Sequence, residues 1–312
     1  MIDKKVIRLK KKKVLTVFIA SPSDGPHPES IQNTCADTWV KHELSIALKK
    51  LGYTILEDRP DQRPPDVLIH FFGVSTIFGK SVKQFSSSIF KIVWIYSHPE
   101  KVNSSNLHDY DRIYCLSTSY PEKLKKMGYP NAQVMLGATS KRPLKVLNKY
   151  DIVFVGNSRG SSGRTIVKDL KSLGKLPYRI GIWGRGWKGR IPDSWYGGYY
   201  WPYSELSNLY ASSKICIQDH RIEMAREGFV SIKIFDILAS GSLAISDSNA
   251  GMRKVFKGAV PEYKSVQHLG QLLNYYINNS QERARLIKLG QKTAFACPWE
   301  KRAALFMGEF RE

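Results

Sequence analysis

The chain lacks the devices of stapled, membrane-spanning and disordered proteins. It has four cysteines in 312 residues, Cys35, Cys115, Cys216 and Cys297, far apart and without C-x-x-C spacing. That usage argues against both a disulfide framework and a zinc ribbon and fits a reducing cytoplasm. No apolar run reaches the roughly 18 residues that a bilayer span requires. The longest, around Ile89–Tyr96, is interrupted by Lys91. The basic stretch Met1–Lys13 runs into VLTVFIA (Val14–Ala20) with no small-residue cleavage site, which argues against a signal peptide. Acidic residues are scarce, 27 against 48 basic ones, for a net charge of +21. Apolar residues make up 42%, enough buried surface to offset chain entropy, so wholesale disorder is excluded.

The positive charge is spread over the chain. Residues 1–150 carry 24 basic and 13 acidic side chains, and residues 151–312 carry 24 and 14. A field of this kind concentrates nucleotides, acidic polymers, nucleic acid or anionic lipid heads. The tract Lys10–Lys13 reads either as a local anion contact or as a solvated lead-in to the first strand.

The length suits two domains, and short apolar strands alternate with helical spacing, the pattern of a parallel α/β fold. The first half predicts strands at Val14–Ala20, Tyr53–Leu56, Val67–Phe72, Ile92–Tyr96, Arg112–Leu116 and Gln133–Leu136. Ser21–Ser30 reads as a Ser/Pro/Gly loop, and helices are expected at Asp37–Leu51 and Pro121–Met127. Thr139–Lys149 reads as a linker, after which the pattern restarts. Strands follow at Ile152–Val155, Arg179–Trp183, Ile215–Gln218 and Leu243–Ser246. Helices follow at Arg164–Leu173, Leu206–Ala211, Ile234–Ala239, Leu269–Ile277 and Gln281–Ala294. The expected division is a Rossmann-like domain at 1–140, a linker at 141–150, a second Rossmann-like domain at 151–295, and a tail at 296–312 packing back across the boundary. Ligands in such sheets sit beyond the carboxyl ends of the strands.

The most informative stretch is Arg226–Asp247, REGFVSIKIFDILASGSLAISD. A loop with Glu227, Gly228 and Ser231 leads into a helix beginning near Lys233 and carrying Asp236. Free amides and the dipole of a helix N-terminus suit phosphate oxygens, and ionised carboxylates accept hydrogen bonds from sugar hydroxyls. An ordinary strand–loop–helix with solvated charges would show the same spacing. The segment resembles the E-G-F-G…E-A-x-A-x-G region of retaining GT-B glycosyltransferases. It is closer still to the spore-maturation-protein (CgeB-type) group, with Arg226, Glu227, Gly228, Ser231, Phe235, Asp236, Ala239, Gly241, Ile245, Ser246 and Asp247 on its pattern and Lys233 in place of Arg. VGNSRG…GRT at Val155–Thr165, Tyr210–Ile217, and the helix CADTWVKHELSIALKKLGY support it. Two departures stand out: one extra residue between Glu227 and Asp236, and Cys35-Ala36 where Trp-Gly is usual.

The resemblance implies a GT-B fold, two Rossmann-like domains facing each other across a cleft, and transfer of a sugar from a nucleotide-diphosphate donor with retention. It implies Glu227 on the donor sugar, Asp236 on the ribose, and Ser231, Lys233 and the amides around Gly228 on the diphosphate, with Arg226 and Phe229 in the same donor loop. Asn157, Arg159 and Arg164 would add to the diphosphate site, Arg164 as the second cation. Trp183 and Gly184 could bracket the nucleobase and Tyr203 could stack on it, although packing explains those aromatics as well. With no acidic cluster of DxD type in a metal context, Arg and Lys are expected to replace a metal, and no cofactor is expected.

The first half should meet the acceptor. His98, directly after a strand, is the expected base or sugar contact, with Asp37 and His42 as alternatives. The stretch SWYGGYYWPY (Ser194–Tyr203) reads as either a stacking platform or a packed loop. The acceptor stays open among glycan, protein, lipid-linked glycan and a modified base in DNA. An anionic polymer or membrane surface would also suit the charge, and no feature marks a stable protein partner. The expected location is cytoplasmic, with peripheral membrane attachment as an option. A binding module without turnover is the alternative to an enzyme, disfavoured by the full set Glu227, Lys233 and Asp236.

Overall fold

A computed structural model describes residues 14–21, 36–56, 64–73 and 88–310, except 104, 106, 161 and 162. The Lys10–Lys13 tract, the Ser21–Ser30 loop beyond Ser21, and Cys35 lie outside the described residues.

The first half forms a six-stranded parallel sheet in the order β2-β1-β3-β4-β5-β6. Its strands are β1 (Thr16–Ala20), β2 (Thr54–Leu56), β3 (Val67–Phe72), β4 (Phe90–Ile95), β5 (Arg112–Cys115) and β6 (Ala132–Val134). Every residue of β3 is buried, as a strand covered on both faces requires. Helix α1 (Ala36–Lys50) lays Val40, Leu44, Ala47 and Leu48 on the core, and α2 (Tyr120–Lys126) follows β5.

The second half repeats the plan. Six parallel strands run in the order β12-β11-β10-β7-β8-β9: β7 (Tyr150–Val155), β8 (Ile180–Trp183), β9 (Tyr196–Gly198), β10 (Ser213–Gln218), β11 (Leu243–Asp247) and β12 (Glu262–Tyr263). Between them lie α3 (Thr165–Ser172), α4 (Leu206–Ala211), α5 (Ile222–Arg226), α6 (Ile232–Ser240) and α7 (Met252–Phe256). Helices α8 (Val266–Asn278) and α9 (Ser280–Phe295) follow. Both N-termini are capped by side chains, Ser265 accepting from the His268 amide and Asn279 from that of Glu282.

Among the described residues, three helices escaped the sequence reading. Two, α5 and α7, are five residues long, too short for a 3.6-residue period to register. The third is α10 (Trp299–Phe306), whose Trp299, Ala303 and Phe306 join the core of the first sheet. Phe306 meets Trp94 and Tyr114 edge-on at 5.8 and 5.3 Å. Each such aromatic contributes roughly 1.5–3 kcal/mol by leaving water. Helix α10 thus packs on the first domain, and Arg302 donates to the Gly137 carbonyl from within this seam.

Candidate functional site

Strand order reverses in the second sheet at β7, which pairs with β8 on one side and β10 on the other. Connections leaving β7 and β10 depart in opposite directions there, and a crevice opens beyond their carboxyl ends. Gly156–Gly163 follows β7, and Asp219-His220 follows β10. The residues expected to meet a diphosphate collect at this point.

Arg164, the residue before α3, donates from Nε to the Asn157 carbonyl at 2.8 Å and from an Nη to Asp219 Oδ1 at 2.9 Å. Arg159 lies 3.8 Å from Asp219 Oδ2 and holds a left-handed backbone (φ 61°), a conformation costly for a side-chain-bearing residue. Lys233, in the first turn of α6, donates from Nζ to the Val155 carbonyl at 3.0 Å, tying that helix to the end of β7. Burial, aided by the Arg164 charge, pushes the Lys233 ammonium down to about 7. The same two causes bring the Arg159 guanidinium down to about 10. Three cations therefore surround one buried carboxylate and repel one another. An anion of about two negative charges completes such a set.

A second pair braces the crevice. His220 Nδ1 lies 2.7 Å from Asp247 Oδ1, and the His220 amide donates to Oδ2 at 2.9 Å. Its Nε2 accepts from the Ser231 amide at 3.0 Å, so the ring is neutral with its proton on Nδ1. Asp247 is held below the usual carboxylate range: burial opposes ionisation, but the His220 ring and amide outweigh it. The amide of Ser231, the residue before α6, is thereby turned inward on protein. The side chain of Ser231 makes no capping bond.

Beyond α5, the donor loop leans on the other domain. Glu227 accepts from Lys123 Nζ at 2.8 Å, its carbonyl accepts from the Ser117 hydroxyl at 2.8 Å, and Phe229 bridges to Ser117. Gly228 has φ 72°, and a Cβ there would sit 3.0 Å from the Ser119 hydroxyl, so glycine is required for this approach. Arg226 is exposed, 3.8 Å from Glu227. Across the cleft, His98 has a left-handed backbone, is buried, and pairs through Nδ1 with Glu100 at 2.7 Å. Burial lowers its pKa against the pull of Glu100, with Arg221 of the facing domain also lowering it. Asp37, partly exposed in the first turn of α1, is pushed up to about 6 by burial, and His42 lies one turn along the same helix.

Five expected donor contacts are engaged within the protein. Trp183 is buried beneath β9, its ring packed over Gly181 and Gly197 and edge-on to Trp201. Gly184 lies against Gly156, where a Cβ would come within 2.4 Å of the Gly156 carbonyl oxygen. Both serve the packing of β8 against its neighbouring strands. Tyr203 stacks on Trp39 of α1 at 4.4 Å, donates to Glu43 at 2.9 Å, and has Lys141 Nζ 3.5 Å from its ring centroid. Its ring is spent on the domain seam. Phe229 is fully buried and packs edge-on against Tyr120. Asp236 is 6% exposed and accepts from Thr139 at 2.6 Å, which puts it beneath the cleft; burial pushes its carboxyl up to about 6. The Asn157 side chain also serves its own loop, its Oδ1 accepting from the Arg185 amide. Trp195 and Tyr203 are buried and Trp201 abuts Trp183, so these members of the aromatic stretch are packed, while Tyr199 is exposed.

Asp219 and the His220–Asp247 pair were missed as site groups. The available signal was position: Asp219-His220 directly follows a buried strand, the rule that nominated His98.

Comparison with known proteins bears on the fold and on the second domain. Residues 159–308 match the family model described as glycosyl transferase-like. No curated protein sequence matches the chain. Among solved structures, sucrose-phosphate synthase from Thermosynechococcus elongatus is similar at TM-score 0.70 and 12% identity, covering 96% of this chain and 98% of that one. T4 phage β-glucosyltransferase with its UDP-glucose substrate is similar at TM-score 0.63 and 11% identity, over 95% and 99%. An α-glucosyltransferase bound to UDP and a 13-mer DNA containing an HMU base is similar at TM-score 0.63 and 12% identity, over 96% and 99%. At such identities the likeness establishes the fold, which is GT-B. With the matched domain on that frame, the chain is an enzyme of the glycosyltransferase class.

Proposed function

We propose that the protein transfers a sugar from a nucleotide-diphosphate donor to an acceptor held between the two domains. The observation that carries this reading is the convergence of Arg159, Arg164 and Lys233 at the switch point of the second sheet. In the transfer, the bond from the anomeric carbon to the diphosphate oxygen breaks and the oxygen keeps the electron pair. The three cations stabilise that developing charge. The acceptor oxygen bonds to the same carbon and its proton passes to the departing diphosphate oxygen, directly or through water. Glu227, at the cleft edge, is assigned to the donor sugar. The reading gives the charge-neutralising role to Arg and Lys and none to a metal. One structural neighbour is described with UDP and Mn2+. Among the described residues here, no group of three or more His, Cys, Asp or Glu side chains is placed to hold an ion.

Retention at the anomeric centre, and membership of the CgeB-type group, rest on the motif resemblance. Incubation with UDP-, GDP- and dTDP-sugars tests the core reading: slow donor hydrolysis with at least one is expected. No hydrolysis and no nucleotide binding with any donor would refute it. The configuration of a transferred sugar, read by NMR, tests retention.

A narrower reading takes a modified base in duplex DNA as the acceptor. Two structural neighbours are described as acting on or bound to DNA, and the net charge of +21 suits a phosphate backbone. Binding to a duplex carrying an HMU base should fall steeply between low and moderate salt. Sugar transfer to that duplex should exceed transfer to an unmodified one. Binding no better than to heparin, with no transfer, would reduce the charge to general anion attraction.

A further inference from the structure

Asp219 is the carboxylate that pairs with the arginines at the switch point, and its side chain is wholly buried. Its Oδ1 takes the Arg164 guanidinium at 2.9 Å. Its Oδ2 has no hydrogen-bond donor in reach among the described residues, the Arg159 guanidinium standing nearest at 3.8 Å. Arg164 is thus held by two acceptors, the Asn157 carbonyl and Asp219. Its remaining terminal nitrogen lies beside Gly156, where Lys233 Nζ also arrives; a Cβ on Gly156 would sit 3.1 Å from each. Arg159 also donates to the His220 carbonyl, at 3.4 Å. The geometry is a fork: one buried acid aims one arginine and has an oxygen left for a second.

We infer that Asp219 is a positioning residue of the diphosphate site, aiming Arg164 at the phosphates and drawing in Arg159 when a nucleoside diphosphate binds. The inference rests on the donor reading above. It opposes the simplest electrostatic expectation, in which a buried negative charge beside an anion site only weakens anion binding. If that expectation ruled, neutralising Asp219 would tighten binding. If aim rules, it loosens binding, because an asparagine leaves Arg164 without its charged acceptor.

The test is UDP, GDP and dTDP binding by calorimetry to the full chain, to D219N, to R164A and to the double variant, with thermal unfolding as the folding control. For the diphosphate that binds the wild type, D219N should weaken affinity about tenfold or more. In the R164A background the same change should have a much smaller effect, since Asp219 acts through that arginine. A purely structural role would lower the melting temperature without this non-additivity. Unchanged or tighter binding in folded D219N overturns the inference, as does full additivity with R164A. Should D219N fail to fold, Asp219→Ser, which keeps an acceptor at the site, carries the same cycle. A wild type that binds none of the three diphosphates overturns the donor reading itself, and the inference with it.

Discussion

Arg164 and Lys233 lie against one aromatic ring, that of Phe154, with their charged groups 5.5 and 5.8 Å from its centroid. They come from different elements, the start of α3 and the first turn of α6, and the ring at the end of β7 serves both. Phe154 is itself fully buried, so the pair is seated on a fixed surface.

If both cations neutralise the leaving diphosphate, each should act more strongly in the transition state than in the bound ground state. Lys233→Ala and Arg164→Ala should each lower kcat/KM by about 3 kcal/mol, with kcat affected more than KM. The double variant should lose less than the sum, because the two serve one phosphate cluster. Steady-state kinetics with circular dichroism checks this. Near-wild-type turnover in a folded single variant removes that residue from the site.

Donor binding should take up a proton near neutrality. In the free protein the Lys233 ammonium has been brought down to about 7, and an adjacent diphosphate favours the charged form. Affinity is therefore full below that value and declines as pH rises through it. A nucleotide sugar suits the measurement because its diphosphate does not titrate in this window. Calorimetry at pH 8 in buffers of different ionisation heat should report uptake approaching one proton. Lys233→Met should abolish both the uptake and the slope.

The seam around Tyr203 should govern stability and leave the nucleotide alone. Tyr203→Phe deletes the hydrogen bond to Glu43 and keeps the stack on Trp39, at a cost of about 1 kcal/mol. Trp39→Ala removes the stack and the buried ring area, and should cost more. Denaturant unfolding measures both. A large loss of nucleotide affinity in folded Tyr203→Phe would return this tyrosine to the donor site.

His220 should be structural support for the crevice. His220→Ala strands the Ser231 amide and leaves Asp247 short of two donors, or of one if the backbone amide stays in place. The expected destabilisation is about 2–3 kcal/mol, read from denaturant midpoints at pH 7. The Asp247 share of it has a definite sign: a carboxyl held below its unfolded value stabilises above about pH 4 and loses that contribution on acidification. The wild type should therefore lose stability faster than His220→Ala as pH falls below 4.

Much of the fold was legible without coordinates because each half repeats a short-range pattern. Val67–Phe72 and Leu206–Ala211 were predicted to the residue, since an all-apolar run and a helical period need no distant partner to show themselves. Within the site, Arg164 and Lys233 were legible because a loop following a strand, and a residue opening a helix, have fixed positions in such a sheet. The aromatics were not. Trp183, Tyr203 and Phe229 have the chemistry of a base-stacking shelf, and nothing local reveals that their faces are covered by Gly197, Trp39 and Tyr120. Asp219 shows the converse. Its role depends on β10 lying beside β7, a pairing between strands some 60 residues apart that brings the acid to arginines from another loop. Composition and period determined two parallel α/β halves and a surplus of positive charge, and the motif resemblance pointed to the cations at one strand end. Only the strand order, set by how the buried faces could be covered, decided which carboxylate those cations meet.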